Sequence, residues 1–427
     1  MKLKCILVIS SPICLSYIVP QMFEFCDMFK KRYKLIHIAA RMGYATISRK
    51  LIENGFDIEA KQKFGATPLQ VAICYGNLNV IKDLIKMGAD VNSASCDKYK
   101  QTPLFDAVYD RNEEIVRLLI ENKANVNAED DDKETPLFIA VQLELESIVK
   151  LLLENGADPN FSDDRKRTPL FYAKSENITK ILTDHKANIN HKDEEGHSPI
   201  TLATLKYKPQ DHKTVNKIKI LIKNGADINT QPPFGYLRPL IHNALKHTDI
   251  ELLQFLISNG ADINILDINQ RTPLFPAVQS KFEEGIKLLI DNGANVNFKD
   301  ANGNTPLIVA MDCHSEIIKL LINSGAYVNS KNNMLQTPLH WTARRGNIEA
   351  SKLLIENGGN IDAKTTSMET PLHYAAQNNQ FKVVKLLLDC GASLKHKNVQ
   401  NVTSMELSLL SMCFESLKTI LNFAHVH

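Results

Sequence analysis

The sequence lacks an excess of either charge. Its 50 lysine and arginine residues stand against 48 aspartate and glutamate residues, which leaves a net charge of +2. A chain so balanced has no general electrostatic attraction to nucleic acid or to an anionic membrane surface. We therefore expect neither of them to be its main partner.

Aromatic residues and paired cysteines are also scarce. One tryptophan and 7% aromatic residues argue against a large aromatic core. No two of the eight cysteines share a C-x-x-C spacing, whereas zinc sites and disulfide frameworks need clustered ligands. We therefore expect reduced thiols of an intracellular protein and no metal site. The cysteines are Cys5, Cys14, Cys26, Cys74, Cys96, Cys313, Cys390 and Cys413.

Long hydrophobic runs are absent except near the N-terminus, where an uncharged stretch extends from Cys5 to Val19. It is shorter than the ~20 residues that span a bilayer. Its basic start fits a secretory signal in residues 1–21, but Pro12 interrupts it and no small-x-small cleavage pattern follows. The alternatives are an apolar cap on the following domain or an extension upstream of Met28. We treat 1–32 as a separate segment.

A Thr-Pro-Leu unit recurs through the chain at intervals close to 33 residues. Degenerate copies begin at Lys34, Ser198, Pro239 and Thr403, and together these positions predict twelve repeats. The clear copies begin at Thr67, Thr102, Thr135, Thr168, Thr272, Thr305, Thr337 and Thr370.

Each unit has the signals of two short helices. Threonine followed by proline favours a helix start, because the hydroxyl caps free N–H groups and proline suits the first turn. A leucine-rich second helix then ends at a glycine such as Gly156 or Gly358, which adopts the left-handed conformation without strain. A polar Ala-Asp-Val-Asn-like turn leads to the next unit.

This pattern resembles the ankyrin repeat, whose consensus carries T-P-L-H-x-A-A and L-L-x-x-G-A-D-V-N. The copy from Thr337 to Gly358 is a close match. The resemblance implies an all-α ankyrin-repeat solenoid of stacked helix–turn–helix units with projecting β-hairpin-like loops. We assign 33–402 to the repeats and 403–427 to a C-terminal capping repeat.

Two neighbouring units break the pattern. The interval from Ala173 to Lys186 is three residues short, which predicts a loss between the two helices. The interval from Ala203 to Gly225 is six residues longer than in other repeats. Neutral drift explains both changes, and a flexible joint near 170–240 is the alternative. Lys123 and Lys186 also replace the helix-ending glycine, at a cost of about 1 kcal/mol each.

The histidines do not predict a metal or catalytic site. They recur three residues after the threonine position, so whole repeats separate them and they cannot converge on one ion. The resemblance implies a structural role, with bonds to the threonine hydroxyl and to the neighbouring loop. The acidic run 129–132 lacks the ligand pattern of a calcium loop and predicts a solvated loop tip. These histidines are His37, His242, His340 and His373.

No phosphate-binding glycine loop, nucleophile elbow or metalloprotease motif is present, so we expect no enzyme activity and no cofactor. The resemblance implies that a partner docks on the loop tips and the first-helix face, four, seven and eight residues after each threonine. Tyrosine, tryptophan and arginine are enriched at binding hot spots. Our candidate protein-binding residues are Tyr75, Tyr109, Trp341, Arg344, Arg345, Tyr374 and Gln377.

Trp341 also has a second interpretation, as a residue that packs at the edge of the core. On balance the sequence predicts a monomeric, non-enzymatic scaffold or adaptor that binds a protein in the cytoplasm. The alternative is a secreted or delivered effector that binds a protein of another cell, which requires residues 1–21 to act as a signal peptide.

Overall fold

A computed structural model describes residues 35–62, 65–95, 99–231 and 238–426. The predicted N-terminal segment 1–32 lies outside the described residues. Within the described ranges the fold is all-α, with 24 α-helices in twelve consecutive pairs and no β-strand. One isolated antiparallel bridge joins Lys397 and Thr403. The predicted helix–turn–helix architecture is confirmed.

The first helices of the pairs are short, and most hold seven residues. They are α1 (Leu35–Arg41), α3 (Pro68–Cys74), α5 (Pro103–Tyr109), α7 (Pro136–Gln142), α9 (Pro169–Tyr172), α11 (Pro199–Lys206), α13 (Leu240–Lys246), α15 (Leu274–Gln279), α17 (Pro306–Val309), α19 (Pro338–Arg345), α21 (Pro371–Gln377) and α23 (Ser404–Leu410). A single 3-10 turn, Ala310–Asp312, continues α17.

The second helices are longer, and most hold nine residues. They are α2 (Ala45–Glu53), α4 (Leu78–Lys86), α6 (Glu113–Glu121), α8 (Glu146–Glu154), α10 (Glu176–Asp184), α12 (His212–Lys223), α14 (Ile250–Ser258), α16 (Glu283–Asp291), α18 (Ser315–Asn323), α20 (Ile348–Glu356), α22 (Phe381–Asp389) and α24 (Phe414–Val426).

The helix ends follow from the residues that the sequence places there. At the start of α3 the Thr67 hydroxyl accepts the backbone N–H of Gln70, and the Gln70 side chain accepts the N–H of Thr67. At the end of the second helices the backbone is left-handed, with φ +90° at Gly156. Lys123 and Lys186 hold the same conformation at φ 67° and 65°, which confirms that they replace the glycine without changing the turn.

The core is a repeated layer of aliphatic side chains between successive pairs. In the third pair Leu104 and Ala107 of α5 and Val116 and Leu119 of α6 are fully buried, and the equivalent residues of the other internal pairs are buried as well. The chain divides into two compact units, one ending at Glu194 and the other beginning at Glu195. Within each unit every pair rests on its neighbours, so the stack supplies the core.

The irregular repeats change helix length. The first helix of the fifth pair, α9, has only four residues, while three residues still connect it to α10. The missing residues therefore come from the helix, and the prediction that they were lost between the helices is wrong. In the sixth pair the additional residues lengthen α11, its connection and α12. Tyr207 of that connection is buried and donates its hydroxyl to Asp249 at 2.5 Å.

The last pair keeps apolar residues on its outer side. Leu409 lies six residues after Thr403, a position that is buried in all internal repeats but the fifth, and yet Leu409 is exposed. Leu410 and Met412 are exposed as well. The capping role of 403–427 stays a prediction.

Candidate functional site

Six of the described loops that precede a first helix are folded around one buried polar side chain. Asp130 accepts the backbone N–H groups of Asp132 and Glu134, both at 3.0 Å. Asp130 is buried, so the prediction that the whole run 129–132 is a solvated tip is wrong for this residue. Its place five residues before the threonine position is a periodic signal that the sequence analysis missed. The same role is filled by Asp163, Asp267, Asp300, Asn332 and Asn398.

Successive loops are joined at their tips by single backbone hydrogen bonds. The N–H of Asn333 donates to the carbonyl of Asn302, the N–H of Thr366 to Met334 and the N–H of Val399 to Ser367, each at 3.0 Å. The tips therefore form a row with one member per repeat, and tip residues of adjacent repeats are near neighbours. The sequence spacing alone does not give this contact.

A second row of hydrogen bonds joins successive loops at their bases. Asn297 donates its amide to the carbonyl of Gly325 at 2.9 Å, and its side-chain oxygen accepts the N–H of Tyr327 at 2.7 Å. Each asparagine satisfies one donor and one acceptor of the next repeat, which fixes the relative position of neighbouring loops. The same arrangement is seen at Asn92, Asn127, Asn160, Asn229, Asn264 and Asn329.

Both predicted contacts are present at His340, and His373 makes the predicted contact with the Thr370 hydroxyl at 2.9 Å. The Nε2 atom of His340 lies 3.1 Å from the carbonyl oxygen of Glu369, and Nδ1 lies 2.8 Å from the Thr337 hydroxyl. A carbonyl only accepts, so Nε2 carries the proton and Nδ1 accepts from Thr337. Burial lowers the pKa of His340 to about 4, so the ring is neutral at pH 7. His37 and His242 contact the next repeat in the same way.

Four further histidines, His185, His191, His197 and His212, do not follow the period of the repeats. The side chains of His185 and His191 bind backbone carbonyl oxygens, of Ile181 and of Lys166 respectively. His212 is the first residue of α12 and its side chain is exposed. His197 is buried, and its Nδ1 atom lies 3.4 Å from the Glu195 carboxylate.

The loop residue directly before the threonine contacts a side chain of a first helix in two repeats. Gln336, directly before Thr337, donates its amide to the Tyr374 hydroxyl of the next repeat at 2.7 Å. Glu134, in the equivalent position, accepts from Gln142 of α7 at 2.7 Å. A loop side chain and a first-helix side chain are therefore in contact in each compact unit.

The seven candidate residues fall into two places. Tyr75 and Tyr109 are exposed on the unit that ends at Glu194, where the Arg41 guanidinium lies 5.1 Å from the centre of the Tyr75 ring. The other five lie on α19 and α21 of the second unit. The structure thus brings Trp341, Arg344, Arg345, Tyr374 and Gln377 together on adjacent repeats, and we name these five residues the α19–α21 patch.

The α19–α21 patch combines fixed aromatic rings with exposed polar groups. Trp341 and Tyr374 are half-buried, whereas Arg344, Arg345 and Gln377 are exposed. The Tyr374 ring packs edge-on against His340 at 5.3 Å between ring centres, and the Arg344 guanidinium lies 6.0 Å from the centre of the Trp341 ring. Rings held in this way lose little conformational entropy when a partner binds.

No helix in the described part of the chain combines the length and the apolarity that a bilayer crossing requires. A family model described as "Ankyrin repeats (3 copies)" matches residues 12–95, 91–163, 137–232, 241–332 and 329–398. A second model, "Ankyrin repeats (many copies)", matches 212–257. The chain therefore belongs to the ankyrin-repeat family. Repeats of this family generally mediate contacts between proteins.

The curated relatives match over parts of their length. The chain is 37% identical over 97 residues to a transient receptor potential cation channel subfamily A member 1 homolog of Caenorhabditis elegans. It is 31% identical over 97 residues to a putative ankyrin repeat protein of fowlpox virus, and 38% over 92 residues to ankyrin repeat and SOCS box protein 5 of Oryctolagus cuniculus. The matches cover 23, 23 and 22% of this chain and 8, 14 and 27% of those relatives.

Proposed function

We propose that this chain is a non-enzymatic scaffold or adaptor that binds a partner protein through the face formed by its loops and first helices. The α19–α21 patch is the centre of that face. The observation that carries the proposal is that Trp341 and Tyr374 occupy equivalent positions on adjacent first helices, with the Arg344 guanidinium 6.0 Å from the centre of the Trp341 ring.

Three features support this choice over a packing role alone. The aromatic residues are half-buried, so each ring keeps an accessible part. Arg344 is exposed and forms no ion pair among the described residues, so its charge is available to a partner. Tryptophan, tyrosine and arginine are the residue types that contribute most to protein interfaces when they cluster.

The test compares the full chain with the double variant Trp341→Ala/Arg344→Ala. Affinity capture from cell extract, read by quantitative mass spectrometry, identifies proteins whose recovery falls with the double variant. A protein found in this way is then purified, and we expect its dissociation constant for the double variant to rise at least tenfold. Gln279→Ala is the matched control, because Gln279 is exposed at the position equivalent to Arg344.

The midpoint of thermal unfolding distinguishes a binding role of Trp341 from a packing role. If Trp341 is a binding residue, the midpoint of the double variant stays within a few degrees of the parent. A large drop in the midpoint assigns Trp341 to the core instead. Equal recovery of every captured protein by the parent and the double variant would reject the patch as the binding site.

A further inference from the structure

The residue at the tip of each loop, two positions before the threonine position, has a left-handed backbone. Glycine fills this tip position at Gly196 and Gly303, with φ 80° and 74°. Polar side chains hold it elsewhere, as at Lys166 and Gln270, both with φ 56°. Two adjacent repeats place bulky apolar residues there: Leu335 at φ 57° and Met368 at φ 60°.

Leu335 and Met368 are unfavourable to the fold on two separate grounds. A side chain in the left-handed region costs about 1 kcal/mol relative to glycine. Each of the two residues is also 42% exposed, so a large part of its apolar surface stays in contact with solvent. Lys166 and Gln270 bear the same backbone cost, so the exposed apolar surface is what distinguishes Leu335 and Met368 from the other tip residues.

In the other compact unit, two lysines at the tip position form ion pairs with the next loop. Lys100 at its tip forms an ion pair with Asp131 of the next loop at 2.6 Å, and Lys133 pairs with Asp164 at 3.5 Å. These side chains find a partner within the chain. The side chains of Leu335 and Met368 cannot form such pairs, and their apolar surface faces solvent.

The apolar tips adjoin the α19–α21 patch. Gln336 follows Leu335 directly and donates to the Tyr374 hydroxyl. Met334 precedes Leu335, is 59% exposed, and accepts the N–H of Thr366 from the loop that carries Met368. The loop that carries Leu335 is thus linked through Gln336 to the Tyr374 ring of the α19–α21 patch, and its neighbour carries Met368.

We propose that Leu335 and Met368, together with Trp341 and Arg344, bind an acidic amphipathic segment of a partner protein. This inference rests on the proposed function and names the chemistry of its partner. Leucine and methionine tips take the apolar side chains of the segment, and methionine adapts its shape to them. Arg344 favours an acidic segment, because its guanidinium is exposed and forms no ion pair among the described residues.

The probe is a phage-displayed library of random 16-residue peptides, selected on the full chain. The enriched peptides are synthesised, and their dissociation constants are measured by fluorescence anisotropy. We expect acidic peptides that carry leucine, methionine, phenylalanine or tryptophan. We expect their dissociation constants to rise at least tenfold for the double variant Leu335→Gly/Met368→Gly.

The midpoint of thermal unfolding of the same variant is expected to stay within a few degrees of the parent, because relief of the left-handed strain offsets part of the packing that is lost. Binding then falls while the fold stays intact, which a purely structural role would not produce. Gln270→Gly is the control, since it relieves the same strain in the same unit and should leave the affinity unchanged.

Three results would overturn the inference: no enriched peptide, enriched peptides that are basic or uncharged, or an affinity that Leu335→Gly/Met368→Gly leaves unchanged. The proposed function is tested separately, by the affinity of the variant Trp341→Ala/Arg344→Ala for the same peptides. If that variant weakens peptide binding and the tip variant does not, the function stands and the tips are excluded from it. If neither variant changes the affinity, the α19–α21 patch itself is rejected.

Discussion

The Nε2 atom of His340 donates to the carbonyl oxygen of Glu369, one repeat further along, at 3.1 Å. Burial lowers the pKa of His340 to about 4 from its ordinary 6.5, and the bond to Glu369 only partly opposes this shift. The unfolded chain therefore takes up a proton on this residue near pH 6.5, whereas the folded chain does so only near pH 4. Stability from this residue is complete above pH 6.5 and falls between pH 6.5 and 4.

We expect this histidine alone to lower the free energy of unfolding by about 3 kcal/mol across that window. His340→Gln should remove its share of the pH dependence, because Gln70 makes the equivalent contact in another repeat through its amide, at 3.1 Å from the carbonyl of Gln101. Urea unfolding at pH 7.5 and pH 4.5 measures the effect. The same loss of stability in both proteins would show that His340 does not titrate as described. Burial also lowers the pKa of His242 and His373, so the glutamine variant keeps part of the dependence.

Thr135 and Thr337 occupy equivalent positions but are expected to contribute differently to the free energy of unfolding. Thr135 is buried, and its hydroxyl has no hydrogen-bond partner among the described residues, because Phe138 occupies the histidine position. Thr337 is equally buried but donates to His340. Thr337→Val should lower the free energy of unfolding by about 1–3 kcal/mol, whereas Thr135→Val should change it by less than about 0.5 kcal/mol or raise it. Chemical denaturation of both variants measures the difference, and equal losses would contradict the assignment of the two hydroxyls.

Replacing the left-handed lysine at the end of α10 is expected to stabilise the protein. Lys186 has φ 65°, so Lys186→Gly removes strain of about 1 kcal/mol, from which the flexibility of glycine in the unfolded chain subtracts a part. Differential scanning calorimetry should show a higher midpoint. Lys180→Gly is the matched control, since Lys180 is exposed within α10 and glycine there should lower the midpoint. A lower midpoint for both variants would show that the left-handed backbone carries no strain at Lys186.

The shortened repeat is expected to open more easily than its neighbour. The four-residue α9 has fewer internal hydrogen bonds than the seven-residue α7, so its amides should exchange faster with solvent. Hydrogen–deuterium exchange resolved to single peptides measures this, with α7 as the internal reference. Faster exchange confined to the fifth and sixth repeats would favour the joint near 170–240, while uniform protection would favour neutral drift.

The repeats and their boundaries were predictable from the sequence because each one carries its own local signals. Thr67 begins a helix and Gly156 ends one through interactions with residues only a few positions away. The left-handed lysines were predictable for the same reason, since Lys123 occupies a position that glycine holds in other repeats. The loss of three residues was assigned to the wrong place, because spacing records how many residues are missing and not which element shortens.

The candidate surface depended on contacts between repeats, which the sequence does not express. The sequence determined which residue types occupy the variable positions, such as Trp341, Arg344 and Tyr374, and that the tip of one loop carries Leu335. Only the tertiary structure decided that Gln336 reaches Tyr374, that Asp130 is buried and that Leu335 has a left-handed backbone. The physical reason is that helix caps act within one turn of chain, whereas burial and loop contacts arise when units some 33 residues apart are stacked against each other.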